Sequence, residues 1–287
     1  MFKVVRLKKK LAIFITLTMF LTAVIICGGS ISYSTFSSNA KSGIPVPIIM
    51  YHSICHNKSG DYIVTPEMFK QDMQFLKENG YTTIFTTDLV SYVYDDVPLP
   101  QKPVVVTLDD GFLNNLTNAL PIIQELNIKV VISIVGSYSE QFSLKPDRNE
   151  YYAHLTWDDI NELTASGLVE IGNHTYDMHK LDARRGCMKS PGESTQSYQS
   201  ALKDNLQKTQ ELLSSNCGIK PECFAYPYGF VSDDSYDVLK ALGFKSALTC
   251  SEKINYITKD KDELYKLCRF NRSGNYTTND FMKKISE

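Results

Sequence analysis

Seven short runs rich in β-branched residues, interleaved with segments of helical pattern, constrain this chain more than any other feature. The runs cover residues 47–51, 82–85, 104–108, 130–135, 169–172, 223–225 and 246–248, and helical patterns cover 67–79, 113–126, 157–165, 195–215 and 235–242. Asn79-Gly80, Ser166-Gly167 and Leu242-Gly243 supply helix stops, glycine relieving the left-handed conformation at the C-cap. Strands alternating with helices build right-handed βαβ units around a parallel sheet or barrel. The expected fold class is therefore α/β.

Several of these strands end in polar residues just where the chain leaves the sheet. Residues 48–51 run into His52, and 104–108 run into Asp109-Asp110-Gly111. Residues 169–172 run into Asn173-His174, and Phe224-Ala225 runs into Tyr226-Pro227-Tyr228-Gly229. In parallel barrels the carboxyl ends of the strands share one face, and chemistry is assembled there. Taken singly, each signal has a plain structural reading. Asp-Asp-Gly is a turn signature, and a lone His52 suits a core. His174 and His179, five apart, share no helix face and meet only if a loop joins them. Together they place two carboxylates and three histidines at one mouth. His56 and His154 have no polar companions at a strand end and read as structural. Imidazoles with one carboxylate suit a borderline divalent metal such as Zn²⁺, and three protein ligands leave a position for water. A second carboxylate alongside would serve as base, so the chemistry points to metal-assisted hydrolysis.

The N-terminus is a basic flank (residues 1–10) followed by an apolar run (11–33) and a polar linker (34–44). Such a flank and run form a signal anchor or signal peptide, which places residues 45–287 outside the membrane. Five Lys/Arg and no acids fall in residues 1–40, leaving 25 Lys/Arg against 32 Asp/Glu in the remainder, a net of −7. That balance excludes nucleic acid as a partner and disfavours electrostatic capture of an anionic polymer. No protein partner is indicated. Six cysteines follow the apolar run, an even number that permits disulfides in an exported domain, with Cys217 and Cys223 the nearest pair and free thiols the alternative.

At these strand ends the sequence resembles the polysaccharide deacetylase family, carbohydrate esterase family four. Thr107-Leu108-Asp109-Asp110-Gly111, His174-Thr175-Tyr176-Asp177-Met178-His179 and Phe224-Ala225-Tyr226-Pro227-Tyr228-Gly229 resemble three of its motifs. The five-residue histidine spacing and Met50-Tyr51-His52-Ser53-Ile54 are similar to the branch that deacetylates poly-N-acetylglucosamine. The resemblance implies a distorted (β/α)7-8 barrel. It implies Asp110, His174 and His179 as ligands of one divalent metal, Zn²⁺ with Co²⁺, Ni²⁺ or Mn²⁺ as alternatives. Asp109 would be the base, and the backbone N–H of Tyr228 would face the oxyanion, with Tyr226 and Tyr228 offering apolar faces to a sugar. No histidine follows His179, so the leaving-group acid common in the family is missing and His52 takes that role. Ala225 stands where many members carry an arginine that orients the base; Arg269 or Arg272 is the expected substitute. Trp157 reads as core packing. The implied activity is removal of N-acetyl groups from an amino-sugar polysaccharide at a Gram-positive cell surface, anchored or secreted. An O-acetyl esterase acting on xylan-like glycans and an inactive glycan-binding protein are the alternatives.

Overall fold

The structure is a computed structural model that describes residues 42–286. The basic flank, the apolar run and residues 34–41 of the linker lie outside the described residues. Among the described residues no helix is long and apolar enough to cross a membrane.

Eight parallel strands form one curled sheet: β1 (Ile48–Tyr51), β2 (Thr82–Ile84), β3 (Pro103–Leu108), β4 (Val130–Ile134), β5 (Val169–Asn173), β6 (Cys223–Ala225), β7 (Ser246–Leu248) and β8 (Phe270–Asn271). Their spatial order is β7-β6-β5-β4-β3-β1-β8, and β2 pairs with the start of β3. A parallel bridge between Leu248 and Leu267, just before β8, brings the two edges of the sheet together. The expected barrel is thus a curled parallel sheet closed by a short seam rather than a complete ring.

β1, β3 and β4 are buried along their whole length, as expected where a parallel sheet is covered on both faces. Alternation divides their side chains. Ile49, Tyr51, Val104, Val106, Leu108, Val130 and Ile132 pack outward against the helices. Ile48, Val105, Val131, Cys223, Ala225 and Leu248 form a second cluster on the concave face. The covering helices are α1 (Pro66–Glu78), α2 (Thr86–Asp95), α3 (Leu120–Leu126), α4 (Gly136–Leu144), α5 (Trp157–Ala165), α6 (Thr195–Cys217), α7 (Tyr236–Ala241) and α8 (Thr278–Ser286). Thr65, Thr156 and Ser194 cap α1, α5 and α6 with side-chain oxygens that accept from the first turn.

The helix expected over 113–126 runs unbroken over 114–126 but is not α throughout. Residues Asn115–Ala119 form a π turn in which Leu120 N–H bonds Asn115 O, five residues back. Pro121 has no N–H to continue the regular ladder, and the wider turn relieves it. The nearest cysteine pair does not form a disulfide: Cys217 closes α6 while Cys223 lies on the concave face, and all six described cysteines are free thiols. Trp157 is buried in the outer core.

Candidate active site

Alternate residues of a strand share a face, so Val105, Thr107 and Asp109 line the concave side of β3. The chain then turns sharply, Asp110 and Gly111 taking φ of 71° and 66°. Glycine is required twice over at 111, because a Cβ there would also meet Ile134 Cγ2 at 2.8 Å. Past the turn, Asp110 Oδ1 lies 3.1 Å from His179 Nε2 and 3.5 Å from His174 Nε2.

His174 extends the concave row of β5. Its Nδ1 donates to Ala225 O at 2.7 Å. A carbonyl only accepts, so the proton sits on Nδ1 and the Nε2 lone pair faces Asp110. His179 reaches the same point through a loop fastened to the start of α4, where Gly136 and Ser137 N–H donate to Thr175 O and Tyr176 O at 2.9 and 2.8 Å. Asn205 of α6 accepts from Tyr176 N–H at 2.8 Å. These bonds explain how histidines five apart converge.

The three candidate ligating atoms lie within 4.8 Å of one another, and Asp110 Oδ1 is buried without a hydrogen-bond partner. Two imidazole nitrogens and a carboxylate in this arrangement fit one divalent metal with a position left for water. Burial opposes the charge of Asp110, but the adjacent imidazoles of His174 and His179 outweigh it and hold the carboxyl well below its usual range.

Asp109 is held from the other side. Arg269, fully buried, donates through both terminal nitrogens to its two carboxylate oxygens at 2.8 Å each. The guanidinium is steadied by Thr107 Oγ1 at 3.2 Å and Thr249 O at 2.9 Å. Burial would raise the carboxyl of Asp109, but Arg269 overcomes it and keeps the group below its ordinary value. Arg272, three residues on, turns to the convex side and pairs with Asp72 at 2.7 Å.

His52 follows Ile48 and Met50 on the concave row of β1. Its Nδ1 is buried without a partner, and its ring meets Tyr62 edge-on at 5.0 Å between centroids. The π turn holds this segment, Asn115 Nδ2 donating to His52 O at 2.9 Å. Burial lowers the imidazole from its ordinary value, against the pull of Asp110 and Asp109.

All five groups line one cleft of about 670 Å³, whose lining also includes Tyr62, Tyr151, Leu181 and Tyr228. Tyr228 sits at φ 59° with its ring 4.6 Å from that of His179. Tyr226 does not line the cleft. β6 turns Phe224 and Tyr226 to the convex face, where Tyr226 is fully buried and its hydroxyl meets Ser235 Oγ at 2.7 Å. His154, read as structural, has a place the sequence did not signal: its Nδ1 donates to the Asp110 carbonyl at 3.0 Å.

An α/β sheet with an acidic and imidazole cluster at the carboxyl ends of its strands defines a scaffold suited to metal-assisted hydrolysis. The sequence model of the polysaccharide deacetylase family matches residues 96–247, and the chain belongs to that family. It is 26% identical over 207 residues to the poly-beta-1,6-N-acetyl-D-glucosamine N-deacetylase of Escherichia coli K12, a match covering 65% of this chain and 30% of that protein. A protein of the same name from Staphylococcus epidermidis is 24% identical over 209 residues, 73% of this chain and 68% of that one. The structure of IcaB from Ammonifex degensii shares the fold, with a TM-score of 0.70 at 24% identity over 85% of this chain and 97% of that one.

Proposed function

We propose that the chain is a metal-dependent N-deacetylase of an extracellular amino-sugar polysaccharide, poly-N-acetylglucosamine or peptidoglycan, working outside the membrane and anchored through residues 11–33 or secreted. The observation that carries the reading is one cleft holding the Asp110–His174–His179 cluster, an arginine-clamped Asp109 and a buried, unpartnered His52 nitrogen. Asp110, His174 and His179 would hold a divalent cation, zinc by preference for this donor set, which would supply Lewis-acid chemistry and acidify water.

The protein's own groups do the rest. Asp109 takes a proton from the attacking water, with Arg269 fixing the direction of its carboxylate. The backbone N–H of Tyr228 faces the developing oxyanion. His52 delivers a proton to the departing nitrogen as the carbon–nitrogen bond breaks, since an amide nitrogen leaves poorly as an anion. The products are acetate and a free amine on the sugar. The names of the relatives and the five-residue spacing of His174 and His179 favour poly-N-acetylglucosamine over peptidoglycan.

Acetate release by the purified full-length chain tests this directly, on N-acetylglucosamine oligomers, peptidoglycan and acetylated xylan, each with and without a chelator. Chelator-sensitive release from the amino-sugar substrates is expected. Release from xylan alone would make the protein an O-acetyl esterase instead.

A further inference from the structure

We infer that His154 is a positioning residue that sets the direction of the Asp110 carboxylate by gripping the Asp110 backbone. The inference rests on the reading of Asp110, His174 and His179 as metal ligands. Asp110 lies in the left-handed region at φ 71°, a conformation that a non-glycine residue holds where its surroundings impose it. The peptide plane after Asp110 therefore has to be held, because its rotation would swing the carboxylate away from both histidines.

Three contacts from residues 153–155 hold that turn. Leu113 N–H donates to Ala153 O at 2.8 Å, Leu155 N–H donates to Gly111 O at 2.9 Å, and His154 Nδ1 donates to Asp110 O at 3.0 Å. Two are backbone bonds flanking the Phe112–His154 bridge and persist whatever side chain occupies 154. The third is a side-chain bond, and it alone of the three touches a ligand residue. The imidazole is aimed by an aromatic box: it stacks on Phe112 at 4.7 Å and 24°, with Tyr138 at 4.5 Å and Phe142 at 5.6 Å. Tyr138 also meets His179 edge-on at 6.5 Å, so the same box borders a second ligand. Groups that orient metal ligands from behind typically contribute 10–100-fold to metal affinity.

Two substitutions separate the donor from the packing. His154→Phe keeps an aromatic ring in the box and removes the donor; His154→Asn keeps a donor near Nδ1 and removes the ring. The full-length chain is stripped of metal, and zinc binding is measured by calorimetric titration beside thermal unfolding of the metal-free protein. H154F is expected to weaken zinc binding about 10–100-fold while unfolding close to the wild type. H154N is expected to bind within about threefold of the wild type despite a lower unfolding temperature. Should H154F fail to fold, His154→Ala replaces it as the variant without a donor. Wild-type affinity in the donor-less variant overturns the inference, as does equal weakening in H154N. A wild-type chain that binds no zinc overturns the metal site itself and the inference with it.

Discussion

Asp109 and Arg269 are both buried, at 2% and 0% exposure, and neither charge is tolerable there alone. Removing one member of such a pair leaves the other unpaired and costs about 3–5 kcal/mol. Arg269→Ala should therefore lower the unfolding temperature by roughly 6–20 °C for a domain of this size. Arg269→Lys tests a subtler point. Lysine restores the charge but offers a point donor in place of the fork that grips both oxygens of Asp109. Stability should largely return, while kcat should stay down by about 10²-fold, part of what a well-placed base contributes. Wild-type kcat in R269K, read with the unfolding curve, would mean that charge alone suffices and the orientation of Asp109 does not matter. From the sequence, two arginines were equal candidates for this role. Strand parity separates them: Arg269 faces the concave side and Arg272 the convex side, a distinction that needs the register of a two-residue strand. The same parity turned Tyr226 out of the cleft.

Strand ends were the legible part of the site because two rules act together: a parallel sheet gathers its carboxyl ends, and alternation aims every second residue inward. His52, Asp109 and His174 could be read that way, with Asp110 in the turn beside them; His179 was legible only through the resemblance of the second motif. Elements that draw their order from tertiary contacts could not. Val135 precedes α4 without a side-chain cap, yet the first N–H groups of the helix fasten the loop that carries His179. The 153–155 segment leaves no periodic trace, so His154 was read as filler. Free thiols replaced the anticipated disulfide because Cys217 and Cys223 belong to different elements, near in sequence but not facing one another. The β3–α3 turn offers a test at this scale. Gly111 and Gly167 both have positive φ, 66° and 70°, but only at Gly111 does a Cβ strike a neighbour, while nothing lies within 4 Å at Gly167. Alanine at either position carries the left-handed strain of about 1–2 kcal/mol. Gly111→Ala should lose clearly more unfolding temperature than Gly167→Ala, the excess reporting the clash with Ile134. Equal losses would mean that Ile134 moves aside and the turn is held by φ alone.

At the scale of the whole molecule, the cleft sits at the carboxyl end of the sheet with a rim of exposed apolar side chains: Tyr62 at 58%, Tyr151 at 51% and Leu181 at 62%. Among the described residues no lysine or arginine lines it, and the chain beyond residue 40 is net acidic, which suits a neutral chain of sugars better than an anionic one. Single exposed apolar residues need no explanation; three on the rim of one functional cleft suggest platforms for sugar rings flanking the reacting unit. Tyr151 is held for such a role, since Asn114 Nδ2 bonds the carbonyl of Glu150 at 2.9 Å and His56 pairs with the Glu150 side chain at 3.1 Å. Tyr62 differs, because its ring also packs on His52. Burying roughly 40–60 Å² of apolar surface contributes about 1–1.5 kcal/mol, or roughly five- to thirteenfold in binding. Tyr151→Ala should raise KM by about that factor on longer N-acetylglucosamine oligomers, spare the shortest substrates and leave kcat within twofold. Tyr62→Ala should raise KM and lower kcat together, as the His52 ring loses its neighbour. Michaelis curves across a ladder of oligomer lengths read both effects. A KM for Tyr151→Ala that matches the wild type at every length would confine recognition to the reacting sugar and leave the rim without a part in it.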